Sequence, residues 1–159
     1  MGYDMSLVET PPELVAAKEA YSNWWKSYDK GNRDFDTLPS DPTYFRLNIF
    51  GMGTYRIFMS QFHMLAENYE MPKFKNNKQW EKVIDSPLAG EEPGIPVDKL
   101  CSNDGWLVRP EECASAIKQY ERFSRDIVKI HVGEDNLEYW DKWIAFIRLA
   151  ANHGGFRVY

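Results

Sequence analysis

Both ends of this chain carry short strand patterns, while most of what lies between them has helical periodicity. At the start, "GYDMSLV" alternates Tyr3, Met5 and Leu7 with small or polar neighbours, the period of two that marks a half-buried strand. At the end, "GFRVY" follows a glycine pair and reads as another strand. A strand needs partners for its backbone N–H and C=O groups. The expected fold is therefore α+β: one mostly helical domain of about four helices, with a small antiparallel sheet that takes in a hairpin and the two termini. A length of 159 residues suits one domain with a real core.

The helical stripes lie between these ends. "TPPELVAAKEAYSNWWKSYDKG" has Thr10 and Glu13 at capping-box spacing, an apolar line through Leu14, Ala17, Tyr21, Trp24 and Tyr28, and Gly31 as a stop. A loop follows, and a second helix is expected from Asp41–Pro42 to about Asn68, with Gly51 and Gly53 inside it. The polar stretch 69–96 is punctuated by Pro72, Pro87, Pro93 and Pro96. One short helix is expected there, near Gln79–Ile84, and the stretch reads as a lid, an oligomer arm or plain surface. "VDKLCSNDGWLVRP" has the pattern of a hairpin around a Ser-Asn-Asp-Gly turn. From Pro110 a helix is expected to bury Cys113, Ala116, Ile117, Tyr120, Phe123, Ile127 and Ile130. The last helix has Asp135 and Glu138 in capping register and a Trp140, Trp143, Ile144, Ile147, Ala151 stripe, with Gly154 as its stop.

Composition excludes several functions. The formal net charge is −5 and the cations are scattered, so a nucleic-acid polymer is not the expected partner. No apolar run approaches the roughly 20 residues that span a bilayer, and the start lacks the pattern of a secretory signal. Gly2 and Ser6 fit a lipidation motif only weakly. Cys101 and Cys113, the two cysteines, read as reduced thiols. A cytoplasmic protein is expected. No HExxH, CxxC, HxH, GxSxG, Walker or GxGxxG pattern occurs, so neither metal nor cofactor is expected. Aromatic residues make up 15% of the chain, more than one core needs, which points to ring-stacking surfaces and a homo-oligomer.

Three segments hold the candidate ligand-binding residues. In "YFRLNIFGMGTYRIFMSQFHML", helical spacing of about 100° per residue puts Asn48, Arg56 and His63 on one arc with the apolar side chains. Arg56 there must meet a carboxylate, a carbonyl or an anionic ligand. In "SNDGW", Asn103, Asp104 and Trp106 serve either ordinary turn chemistry or a ligand's hydroxyls and rings. In "NHGGF", His153 and the glycines either close a helix or, with Arg157, meet a ligand at the backbone.

The blocks "MGYDM", "YFRLNIFGMG", "SNDGWLV" and "HGGFRVY" together resemble an uncharacterised family of small cytosolic proteins of actinobacteria and bacteriophages. The resemblance carries over no activity and no functional residue. Small phage-type proteins often act by binding, which by analogy of class suggests a host protein or a nucleotide-derived immune signal. The expectation is a non-enzymatic small-molecule binder that sequesters such a signal. The alternatives are a small hydrolase or lyase using a His/Asp pair, and a protein-interaction module.

Overall fold

The computed structural model describes residues 2–31 and 33–159. Both terminal segments are strands, and they pair with each other. β1 (Gly2–Leu7) lies between β2 (Tyr44–Asn48) and β6 (Phe156–Val158), and β5 (Trp106–Val108) completes an antiparallel sheet of order β2-β1-β6-β5. In register, Met5 faces Phe45 and Val158, Leu7 faces Phe156, and Trp106 faces Val158. All six are buried, so the period of two selects an inner face. Asp4, Ser6, Tyr44, Arg46 and Arg157 occupy the opposite face.

The described residues form six α-helices, two more than expected: α1 (Val15–Asp29), α2 (Ile49–Gln61), α3 (Asn77–Ile84), α4 (Pro110–Tyr120), α5 (Arg125–Val132) and α6 (Glu134–Asn152). The helix expected to run on from Pro110 breaks after Tyr120. Ser124 caps a new one, its Oγ accepting from the Ile127 N–H. The turn rotates the second half, so α5 buries Val128 and Val132 and leaves Ile130 75% exposed. The expected caps at Thr10 and Asp135 do not form. Pro11 precedes the first turn without a side-chain cap, and Thr10 Oγ1 instead accepts from Lys18 Nζ at 3.0 Å. Gly133 alone joins α5 to α6, which places Asp135 inside the first turn of α6.

The second expected helix is in fact a strand followed by a shorter helix. Asn48 ends β2 and caps α2, its Oδ1 accepting from the Gly51 N–H at 2.6 Å. The expected hairpin at 97–108 is absent. Val97–Leu100 is a 3₁₀ turn, and β5 pairs with the C-terminal strand. Register with a distant strand outcompetes a local turn here because β6 offers Phe156 and Val158 to the core.

The stretch 69–96 is pinned at both ends. β3 (Leu65–Ala66) pairs in parallel with β4 (Ile95–Pro96), and the Glu92 carboxylate accepts the Glu67 and Asn68 N–H groups at 3.0 Å. Inside this stretch, α3 packs Trp80 edge-on to Trp106 at 4.7 Å. Two glycines are required by close approach. A Cβ on Gly94 would lie 2.6 Å from the Met64 carbonyl oxygen, and one on Gly155 only 2.0 Å from that of Val108.

The core lies between the inner face of the sheet and α2, α4 and α6. Trp140 and Trp143 are both 0% exposed. No helix among the described residues is long and apolar enough to cross a membrane.

Candidate functional site

Asn48, Arg56 and His63 do not share a helical arc. Asn48 is the exposed cap described above. Arg56 is half-buried and donates from Nη1 to the Leu100 carbonyl at 2.8 Å, an internal Arg–carbonyl tie. His63 follows α2 with a positive φ of 55° and lies exposed over the Phe123 ring. The strand-to-helix break takes Asn48 off the arc, and the end of α2 at Gln61, before the positive φ of His63, takes off the histidine.

Five of the other candidates, taken with Asn48 and Arg56, separate into two places. Asn48 pairs with Gly2, whose carbonyl also accepts from Asn103 Nδ2 at 3.4 Å. Arg157 donates to the Gly105 carbonyl at 2.9 Å and to Asp85 Oδ1 at 2.8 Å. Trp106 is buried, with its indole N–H on Ser102 Oγ at 3.0 Å. These residues and the exposed Asp104 therefore meet around the Gly2 end of the sheet, with the Leu100 carbonyl held by Arg56 nearby in sequence. His153 ends α6 at the opposite end of β1, where its carbonyl accepts from Glu9 N–H. At the Gly2 end the bonds described run to the protein's own backbone and side chains.

A cleft lies elsewhere, between the free edge of β2 and α6, and has a volume of about 310 Å³. α6 contributes Tyr139, Lys142, Phe146 and Leu149, spaced to share one face. β2 contributes Tyr44, Phe45 and Arg46, and Tyr21 of α1 closes the outer side. The rings come in two pairs. Tyr21 and Tyr44 centroids are 5.6 Å apart, and those of Phe45 and Tyr139 4.9 Å. The Tyr139 hydroxyl donates to the Arg46 carbonyl at 2.8 Å, which satisfies a backbone acceptor on the edge strand.

The cations at the mouth are lightly held. Arg46 Nε is 3.7 Å from Asp4 Oδ1 and its side chain is 62% exposed. Lys142 Nζ is 3.0 Å from Glu138 on an open helix surface. Such pairs contribute only about 0–1 kcal/mol, so a ligand anion can replace either partner at little cost. Tyr44 donates its hydroxyl to Asp4, and burial first, then that carboxylate, pushes its phenol well above the usual tyrosine range. It stays a neutral donor. Asp41 Oδ1 is taken by the Thr43 N–H and hydroxyl at 2.9 and 2.7 Å, which fixes the loop forming the cleft wall.

Under the floor lies Trp143, against Phe45 at 5.1 Å and Phe146 at 5.9 Å. Its Nε1 is the single buried side-chain polar atom without a hydrogen-bond partner among the described residues.

A second cleft, about 390 Å³, adjoins the first on the outer face of the sheet. It shares Tyr21, Asp41 and Tyr44 with the first and adds Lys18, Ser22, Trp25 and Lys26 of α1.

One further charged group is structural. Lys99, 0% exposed, donates to the Leu107 carbonyl at 2.8 Å and to both Glu112 oxygens at 2.9 and 3.0 Å. Those three acceptors match its three donors. Burial pulls the Lys99 ammonium down and pushes the Glu112 carboxyl up, each opposed by the partner's charge. Glu112 also accepts from the Arg109 N–H at 2.8 Å, tying the start of α4. Among the described residues no group of three or more His, Cys, Asp or Glu is gathered as a metal set.

Sequence reasoning missed Tyr21, Tyr44, Arg46, Tyr139 and Lys142 as site residues. A signal was present for two of them. Tyr139 and Lys142 flank the Trp140/Trp143 stripe, so they sit on the shoulder where a buried helix meets solvent. No known protein family, curated protein or solved structure matches the chain.

Proposed function

We propose that this protein is a small-molecule-binding protein that holds, without converting, a ligand carrying a flat ring and an anionic group. The observation that carries the reading is the cleft at the β2 edge, where Tyr21, Tyr44, Tyr139, Phe45 and Phe146 surround a space with Arg46 and Lys142 at its mouth. Its volume suits a small ligand. Rings stack on rings, and the forked guanidinium of Arg46 suits a phosphate or carboxylate. A nucleotide-derived signal has this chemistry, and its sequestration is the role proposed for the cleft.

Binding is favoured over catalysis because the lining offers no histidine or cysteine, and the carboxylate next to its serine, Ser40, is Asp41. Asp41 is engaged by Thr43, while His63 and His153 lie outside the lining. The test is to incubate the protein with a panel of nucleotides, follow tryptophan fluorescence, and analyse what heating releases. Intact ligand supports sequestration. Converted ligand would establish an enzyme, and no binding by any ring-bearing anion would remove this reading.

A second reading, self-association or docking to another protein, has its own observation. On the outer side of α2, Phe50 is 85% and Ile57 60% exposed, which is unusual for a solvent-facing helix. Light scattering at micromolar concentrations tests whether the chain forms a homo-oligomer through this surface. A monomer mass throughout would leave docking to another protein.

A further inference from the structure

We infer that the two clefts flanking Tyr21 and Tyr44 form one site for one ligand, made of two ring systems joined by an anionic linker, the chemistry of a dinucleotide. The inference rests on the binding reading above. The clefts share the Tyr21–Tyr44 pair and Asp41 as a common wall, so they lie side by side, close enough for one ligand to span both. Each has the same equipment. The α6 side offers Tyr139 as a ring and Arg46 and Lys142 as cations; the α1 side offers Trp25 as a ring and Lys18 and Lys26 as cations.

On α1 the spacing is regular. Lys18, Ser22 and Lys26 stand at i, i+4 and i+8, one face of the helix, with the lysines about 12 Å apart along the axis. Their flexible arms reach an anion lying beside Ser22. Trp25 keeps 38% of its surface exposed, which leaves part of its ring open to a ligand. Across both linings there are four cations against two carboxylates, Asp29 and Asp41; Asp41 already accepts two bonds from Thr43, and Asp4 and Glu138 beside the linings hold Arg46 and Lys142 in exposed pairs. A single mononucleotide would use one ring wall and one pair of cations. A molecule with two such units uses both.

Linking two bound units makes the second contact intramolecular, which raises affinity with no new kind of contact. The test is titration of the intact chain, by calorimetry, with adenosine monophosphate and with a linear adenosine dinucleotide, on wild type and on Lys18→Ala/Lys26→Ala. Both lysines are exposed, and a melt checks that the double variant folds. The expected result is one dinucleotide per chain, bound at least tenfold tighter than the mononucleotide. The double variant should then bring the dinucleotide down to about the affinity of the mononucleotide, because only the α6-side cleft keeps its cations. Equal affinity of the two compounds, or two mononucleotides binding independently, overturns the inference and leaves the binding reading intact. Failure of both compounds and of the wider panel overturns the binding reading as well.

Discussion

α1 and α6 each carry two tryptophans, yet they have opposite fates. In α6, Trp140 and Trp143 are three residues apart and share a face, and both are fully buried. In α1, Trp24 and Trp25 are adjacent, about 100° apart around the axis, so one is buried and the other is an open edge. The helices also meet different sides of the sheet. α6 covers the inner face of Met5, Phe45 and Phe156, whereas Tyr21 of α1 reaches the outer face at Tyr44. Trp24, Trp25, Tyr28 and Phe35 make a small aromatic layer of their own, apart from the main core. An apolar stripe thus tells which side of a helix seeks cover, but not how much cover it receives.

The contrast can be broken most directly by truncation. Trp143→Ala should cost about 3–5 kcal/mol, the usual loss for a large buried aromatic, whereas Trp25→Ala should stay within about 1 kcal/mol, nearer a surface change. Urea denaturation of both variants measures this, and equal losses would mean that α1 belongs to the core. Charge gives the same contrast. Lys99→Met strands Glu112 in the interior and should cost roughly 3–5 kcal/mol. Arg46→Ala at the cleft mouth should cost no more than about 1 kcal/mol while weakening ligand binding. A Lys99→Met protein with unchanged urea midpoint would show that water reaches the pair.

A smaller effect separates the cleft from the Gly2 end of the sheet. Arg56→Ala loses a charged hydrogen bond worth about 1.5–3 kcal/mol, because its partner is the Leu100 carbonyl. Ligand affinity should not change. A binding loss with an unaltered melt would return Arg56 to the site.

The smallest effect is alkaline. Burial raises the phenols of Tyr44, Tyr55 and Tyr69 above the ordinary value, about 10 in the unfolded chain. A group whose folded pKa is raised contributes stability below its unfolded pKa and loses it as pH rises through the folded one. Stability should therefore fall above about pH 10, with these rings still protonated when exposed tyrosines have ionised. Absorbance titration near the phenolate band, repeated on Tyr44→Phe, measures it. Ionisation of all nine tyrosines in one step would contradict the assignment.

Much of the local structure was legible in the sequence. Alternation marked β1 and β6, and Met5, Leu7, Phe156 and Val158 are buried as that period requires. The i, i+3, i+4 spacing from Trp140 to Ile147 marked the buried face of α6, and Cys113 to Tyr120 that of α4. These elements were readable because each repeats its signal over several turns or residues. The capped start of α2 was not, since Asn48 follows four strand residues with an apolar content that a helix would also show.

Tertiary structure alone decided the rest. β5 gives up a local turn for pairing with β6, a choice set by contacts some 50 residues away along the chain. The break at Ser124 rotates the apolar face of α5, so Ile130 is exposed although it continues the stripe in sequence. Arg56 could meet a ligand or a carbonyl, and only the placement of Leu100 settles that it meets a carbonyl. Periodicity fixes the side of an element that is apolar because it depends on neighbouring residues along one backbone. A cleft is the gap between elements, here β2, α1 and α6, and its position depends on how far apart packing holds them, which no local spacing records.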